Sequence, residues 1–281
     1  MNITIVGKKQ RASAWEKHLR KLSIVEQVII SSTYSPTDET DAVLVIDESN
    51  KNLDLLLDII KQGKHVYLIS RLPIEINKLE KLYHSAEEAS VNVQFSHWPT
   101  VASSTNWIKQ QIKKPDLIQV RKEIVPINYH VDQDEFEYGW IDEVAFIVKW
   151  FGGNVHHIET KPVQINGTFL GLTITLRFEN RSVALITYSA CAESYTHHRV
   201  FSGNGFLFNL DVKNQKVRQT LLNNQNKVAS KLKTFDPSDS AEWSVVQFIK
   251  SIQLRQDTLF NAYDALQTAQ VCMKIKALFQ R

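Results

Sequence analysis

The chain has 281 residues, 43% of them hydrophobic, a formal net charge of +3 and two cysteines. That length suits one large or two ordinary domains, and the small charge argues against a dedicated nucleic-acid binder, which concentrates a basic stripe. Cys191 and Cys272 lack CxxC spacing, which fits buried thiols in a reducing compartment rather than a disulfide framework or zinc site. The N-terminus enters a strand directly, without a signal-peptide pattern, and no apolar run approaches the roughly 18 residues that span a bilayer. A soluble, cytoplasmic protein with no membrane partner is expected.

The first hundred residues alternate strand and helix. "ITIV" reads as a strand and "SAWEKHLRKL" as an amphipathic helix with Trp15, Leu19 and Leu22 on one face. "VEQVIISS" and "DAVLVID" follow as strands, the second continuously apolar, as a parallel strand covered on both faces should be. "NKNLDLLLDIIKQG" is a helix stopping at Gly63, "KHVYLIS" a strand, "EINKLEKLYHSAEEAS" a helix and "VNVQFSH" a strand. This order predicts a doubly wound sheet. Only "TYSPTDET" separates "VIISS" from "DAVLVID". A right-handed crossover takes a dozen or more residues, so a helix and a strand common in such domains are expected to be missing.

"NWIKQQIKKPDLIQV" connects to a second region, with the strand "IQVRKEIV", a polar acidic stretch "DQDEFEYG" and the apolar helix "WIDEVAFIVKWFGG". Antiparallel strands are predicted in "VHHIETKPVQI", "TFLGLTITLRFEN", "SVALITYSA" and "HRVFSGNGFLFNLDV", with turns at "ENRS" and at Gly203–Gly205. Two helices close the chain, "FDPSDSAEWSVVQFIKSI", capped at Ser238 or Ser240, and "DTLFNAYDALQTAQVCMKIKALF".

This order resembles the Gfo/Idh/MocA oxidoreductases along nearly the whole chain. "DAVLVIDESN" stands where that family ends a strand in Thr or Ser and Pro, and "IIKQGKHVYLISRLPI" where it has a helix, Gly-Lys-His-Val and Glu-Lys-Pro. "WIDEVAFIVKWFGG", "FENRSVALITYSA", "FSGNGFLFNLD" and the closing helix are similar to its second domain. The resemblance implies an α/β fold: a shortened Rossmann-like domain over residues 1–118, and an α/β domain with a large, mostly antiparallel open sheet over 119–281. It also implies NAD or NADP, a sugar-like substrate and homodimers through the sheet, to which Phe169, Leu176, Phe178 and Leu185 would contribute an apolar face.

The functional positions depart from that pattern. G-x-G-x-x-G is replaced by Gly7, Lys8, Lys9, Gln10, Arg11 and Ala12. Lys8, Lys9 and Arg11 form either a solvated loop or point charges holding phosphate at a helix N-terminus. Ser31 and Ser32 stand where an acidic residue would bind the ribose, and plain turn formation is the competing reading. Asp47 and Glu48 replace Thr/Ser-Pro. A carboxylate beside a pyrophosphate costs about 4 kcal/mol per unit pair at roughly 4 Å and an effective dielectric near 20. Arg71 and Pro73 are the nearest matches to Glu-Lys-Pro, and arginine is a poor proton shuttle.

With Trp150 aligned on the family's tryptophan, the resemblance puts Gly139 at the Asp and Glu143 at the His of its acid–base pair. Glu143 and Asp142 are either a general base or a helix-start charge pair. His97 ends a strand where ligand-facing residues lie, with Trp98 beside it. His156–His157 and His197–His198 each split across two faces of a strand, so no metal site is expected. Two functions follow: a catalytically degenerate relative that binds a small polar ligand or a protein partner, with no cofactor, or an active NAD(P)-dependent oxidoreductase using Arg71, His97 and Glu143.

Overall fold

The structure is a computed structural model and describes residues 1–35, 39–47, 53–126, 131–152, 154–222, 225, 227–236 and 239–279. The chain divides into two compact units, Met1–Val101 with Ser240–Ala269, and Ala102–Asp239 with Gln270–Arg281.

The first unit contains β1 (Asn2–Val6), α1 (Lys9–Leu19), β2 (Gln27–Ser31), β3 (Ala42–Ile46), α2 (Leu53–Lys61), β4 (His65–Ile69), α3 (Ile76–Ala89), β5 (Val93–Phe95) and α4 (Trp98–Val101). The five strands form one parallel sheet in the order β2-β1-β3-β4-β5. β2 and β3 flank β1, and no helix occurs among the described residues between them, so the expected shortening is present. β3 is buried from Ala42 to Val45, as a strand packed on both faces requires. α1 starts at Lys9 rather than near Ser13, with Lys8 as its N-cap, so the basic residues are the helix's first turn and not a separate loop.

The second unit contains α5 (Ser103–Gln111), β6 (Leu117–Glu123), α6 (Gln133–Phe151), β7 (Val155–Ile165), β8 (Thr168–Phe178), β9 (Val183–Ser189), β10 (Thr196–Gly203), β11 (Phe206–Asp211), β12 (Lys216–Leu222) and β13 (Val228–Thr234). Its eight strands run β13-β12-β11-β10-β6-β9-β8-β7, and only β6 and β9 pair in parallel. The β12–β13 hairpin escapes the sequence pattern because β13 is exposed along nearly its whole length and shows no apolar alternation.

α7 (Asp239–Leu254) and α8 (Ala262–Phe279) complete the chain. Val245, Phe248 and Ile249 of α7 join one core with Ile3, Ile5, Leu19, Leu44 and Tyr67. Part of the C-terminal region therefore belongs to the first unit, where the sequence drew a single boundary at residue 118. Ser240 lies inside α7 and does not cap it, and Ser238 lies outside the described residues. α8 begins at Ala262, behind a reciprocal cap in which the Asn261 and Asp264 backbone N–H groups donate to each other's side chains.

α6 corrects two expectations. The acidic stretch is its first turns: the Asp132 side chain accepts from the Asp134 and Glu135 N–H groups, and both acids favour the positive helix end. Asp142 and Glu143 are consequently mid-helix, not a helix-start pair. Leu176 and Phe178 are buried on the covered face of the sheet and Phe169 stacks on Phe136 of α6, while Leu185 is half-buried and pairs with Thr175 on the other face, so the four do not share one exposed apolar face. Of the two thiols, Cys272 is buried and Cys191 is exposed. Among the described residues no helix is long and apolar enough to cross a membrane.

Candidate functional site

In a parallel sheet every strand ends at the same edge, and ligands bind there at the switch in strand order. In the first unit that switch lies at β1, between β2 and β3. Gly7 follows β1, and its N–H donates to Ser31 O at 2.9 Å. A Cβ on Gly7 would stand 2.9 Å from Ile46 Cβ, so the close approach of the β1 and β3 ends accounts for this glycine without any cofactor. Lys8, Lys9 and Arg11 are exposed, and Lys8 caps α1 without a side-chain hydrogen bond. Ala12 is fully buried in the core, where a small residue lets helix and sheet pack closely.

Ser31 closes a local turn, its Oγ donating to Thr33 O at 2.6 Å, while Ser32 is exposed. Asp47 is buried after β3, with its N–H on Ile69 O. Glu48 lies outside the described residues. Arg71 is exposed, and Leu72 and Pro73 beside it are buried. His97 is buried after β5: its Nδ1 lies 2.6 Å from Thr100 Oγ1 and its ring packs on Phe260 at 4.7 Å. Trp98 is exposed. The parallel topology thus gathers Gly7, Lys8, Lys9, Ser31, Ser32, Asp47, Arg71, Pro73 and His97 past the strand ends of one sheet.

Glu143 belongs to the other unit and is 1% exposed. It projects from α6 onto β10, where alternation puts His197 and Arg199 on one face. Arg199 Nε donates to Glu143 Oε2 at 2.9 Å and Nη2 to Oε1 at 3.0 Å, a two-pronged pair. His197 Nε2 lies 3.0 Å from Oε1 of the same carboxylate. Burial alone would raise the Glu143 pKa, but Arg199 and His197 outweigh it and hold the carboxyl well below the usual range. Burial lowers the His197 pKa against the pull of Glu143. The other face of this strand carries His198, which is exposed.

One turn before Glu143, Gly139 touches Tyr188 so closely that an added Cβ would stand 2.1 Å from the phenol oxygen. Lys122 Nζ donates to Gly139 O at 2.9 Å. Arg199, Lys122 and Tyr188 were not singled out by sequence, and His197 was considered there only as half of a histidine pair for metal. The only available signal was the alternation of charge and aromatic residues in strands of otherwise apolar inner face.

A Rossmann-like parallel unit and an open eight-stranded sheet define a two-part α/β architecture. No protein-family model matches the chain, and no curated protein matches it in sequence. Solved structures do match in shape. UDP-N-acetylglucosamine 3-dehydrogenase GnnA from Acidithiobacillus ferrooxidans superimposes with a TM-score of 0.83 at 12% identity, over 100% of this chain and 99% of that one. An NAD binding oxidoreductase from Klebsiella pneumoniae gives 0.81 at 12%, over 100% and 96%. The dehydrogenase MviM from Clostridium difficile gives 0.79 at 12%, over 99% of both. The chain has the fold of the Gfo/Idh/MocA oxidoreductases.

The nicotinamide dinucleotide implied by that fold meets a poor set of residues. The one retained glycine is accounted for by Ile46, Lys9 occupies the position where bare backbone would approach a pyrophosphate, and Asp47 adds a buried acid after β3.

Proposed function

We propose that this chain is a catalytically degenerate Gfo/Idh/MocA-type protein, which keeps the two-unit scaffold and binds a small polar ligand in place of performing hydride transfer. The observation that carries this reading is the state of Glu143. A general acid–base group needs a pKa near the working pH and reach to its substrate. Glu143 is held ionised by a buried, two-pronged arginine and exposes 1% of its surface, so it neither gives nor takes a proton in the neutral range. The adjoining acid position is Gly139, and Tyr188 fills its space.

The competing reading is an active oxidoreductase with Arg71 and His97 in altered roles. His97 already spends Nδ1 on Thr100 and its ring on Phe260. Titration with NADH and NADPH, read by quenching of tryptophan fluorescence, separates the two. No binding at millimolar cofactor is expected; micromolar binding of either restores the oxidoreductase. Homodimerisation through the open sheet and a cytoplasmic location belong to the same proposal. Sedimentation at micromolar concentration tests the former, with a dimer mass expected and a monomer refuting it.

A further inference from the structure

The formal charge of +3 is unevenly spread along the chain. Residues 213–234 hold six basic side chains, Lys213, Lys216, Arg218, Lys227, Lys231 and Lys233, and no acidic one, so the remainder is net negative. This stretch contains the hairpin of β12 and β13 at one end of the eight-stranded sheet, and its nearest acids in sequence are Asp211 and Asp236. Asp211 is occupied by Asn214, whose backbone N–H and side-chain amide both donate to it. β13 pairs with β12 on one side, and among the described residues no strand lies on its other side.

The register fixes what that free edge offers. The Phe235 N–H donates to Gln215 O, continuing the ladder beyond the Lys216–Thr234 pair. Antiparallel strands alternate hydrogen-bonded with non-hydrogen-bonded pairs, so Lys233, Lys231 and Ala229 spend their backbone groups on β12. Thr234, Leu232, Ser230 and Val228 turn theirs outward. Side chains alternate as well. Lys231 and Lys233 fall on the face of buried Val217, and Val228 and Leu232 on the opposite face, 73% and 64% exposed, too open for core residues. Lys233 lies over the Trp107 and Phe235 rings, and Lys231 is exposed. Lysines on a free edge repel a second copy of that edge, because like charges opposite one another are destabilising; an acidic strand reverses the sign.

We propose that β13 is a docking edge for an acidic, extended polypeptide, which adds a strand to that end of the sheet. The incoming strand bonds the outward backbone groups of Ser230 and Leu232, sets acids opposite Lys231 and Lys233, and sets apolar residues beside Val228 and Leu232. The segment it recognises therefore alternates acidic and apolar residues. The docking edge is independent of what the parallel unit binds. It also differs from the open face of the sheet assigned to the dimer, so either can fail without the other.

The full chain is titrated into fluorescein-labelled peptides as long as β13, read by fluorescence anisotropy. A peptide alternating valine and glutamate binds saturably and loses affinity as salt rises. Its valine–lysine counterpart, and a block isomer with the glutamates grouped together, bind at least several-fold more weakly. Ser230→Pro removes one outward N–H and spares the β12 ladder; it weakens the acidic peptide about ten-fold and leaves the peptide-free Tm nearly unchanged. Lys231→Glu weakens the acidic peptide several-fold and admits the lysine peptide. Equal binding of the alternating and block peptides overturns the proposal, because bare charge attraction then suffices. Tighter binding of a thymidine oligonucleotide than of the acidic peptide overturns it in favour of a nucleic-acid surface. Affinity unmoved by Ser230→Pro also overturns it. Should Ser230→Pro not fold, Lys231→Glu decides: a peptide preference that stays unchanged refutes the docking edge.

Discussion

Glu143 and Arg199 illustrate how burial fixes a residue's chemistry. Neither ion is affordable alone at 1% exposure, and together they hold each other charged. Replacing Arg199 with Met leaves an uncompensated buried carboxylate and should cost about 3–5 kcal/mol, measurable by urea denaturation. The pH dependence follows from the same groups. The lowered Glu143 pKa contributes stability that is present above its unfolded value near 4.5 and is lost as pH falls through the lower folded value. His65 and His197 are both lowered from 6.5 by burial, so the unfolded chain takes up protons first and stability falls as pH drops below about 6.5. Denaturation midpoints at pH 7.5 and 5.5 should therefore differ, and His197→Gln should shrink the difference.

At the scale of elements, α6 is held at its start by a cap and in its middle by a close contact. Asp132→Ala removes the acceptor for two N–H groups and should cost about 1 kcal/mol, read from the Tm. Gly139→Ala is the harsher change, since the phenol of Tyr188 would have to leave. About 1–3 kcal/mol is expected, with partial recovery in the double variant Gly139→Ala, Tyr188→Leu. Helix positions were legible in the sequence through apolar periodicity, yet three starts, those of α1, α6 and α8, were misplaced. α1 begins with the basic residues Lys9 and Arg11 and α6 with the acids Asp134 and Glu135, ahead of the main apolar run, and only α6 has a side-chain cap and favourable end charge to set its start. β13 was illegible for a related reason: an exposed edge strand has no buried side to write an alternation.

For the whole molecule, the consequential finding is that the first unit is not contiguous. Val245, Phe248 and Ile249 close a core that begins at Ile3, so a fragment ending at residue 118 lacks part of its own interior. Such a fragment should be unfolded or aggregated by circular dichroism and sedimentation, whereas supplying residues 240–281 in trans should restore its signal. A well-folded fragment would show α7 to be dispensable.

The sequence by itself determined the parallel sheet, the missing crossover, the open antiparallel sheet and the departures from the dinucleotide pattern. These are written locally, in the period of apolar residues and in the residues that end each strand. Only the tertiary structure decided that Glu143 faces Arg199 rather than solvent, that Tyr188 fills the place beside Gly139, and that α7 belongs to the first unit. Each of these joins residues far apart in the chain, and no local period records which distant side chain will neutralise a buried charge.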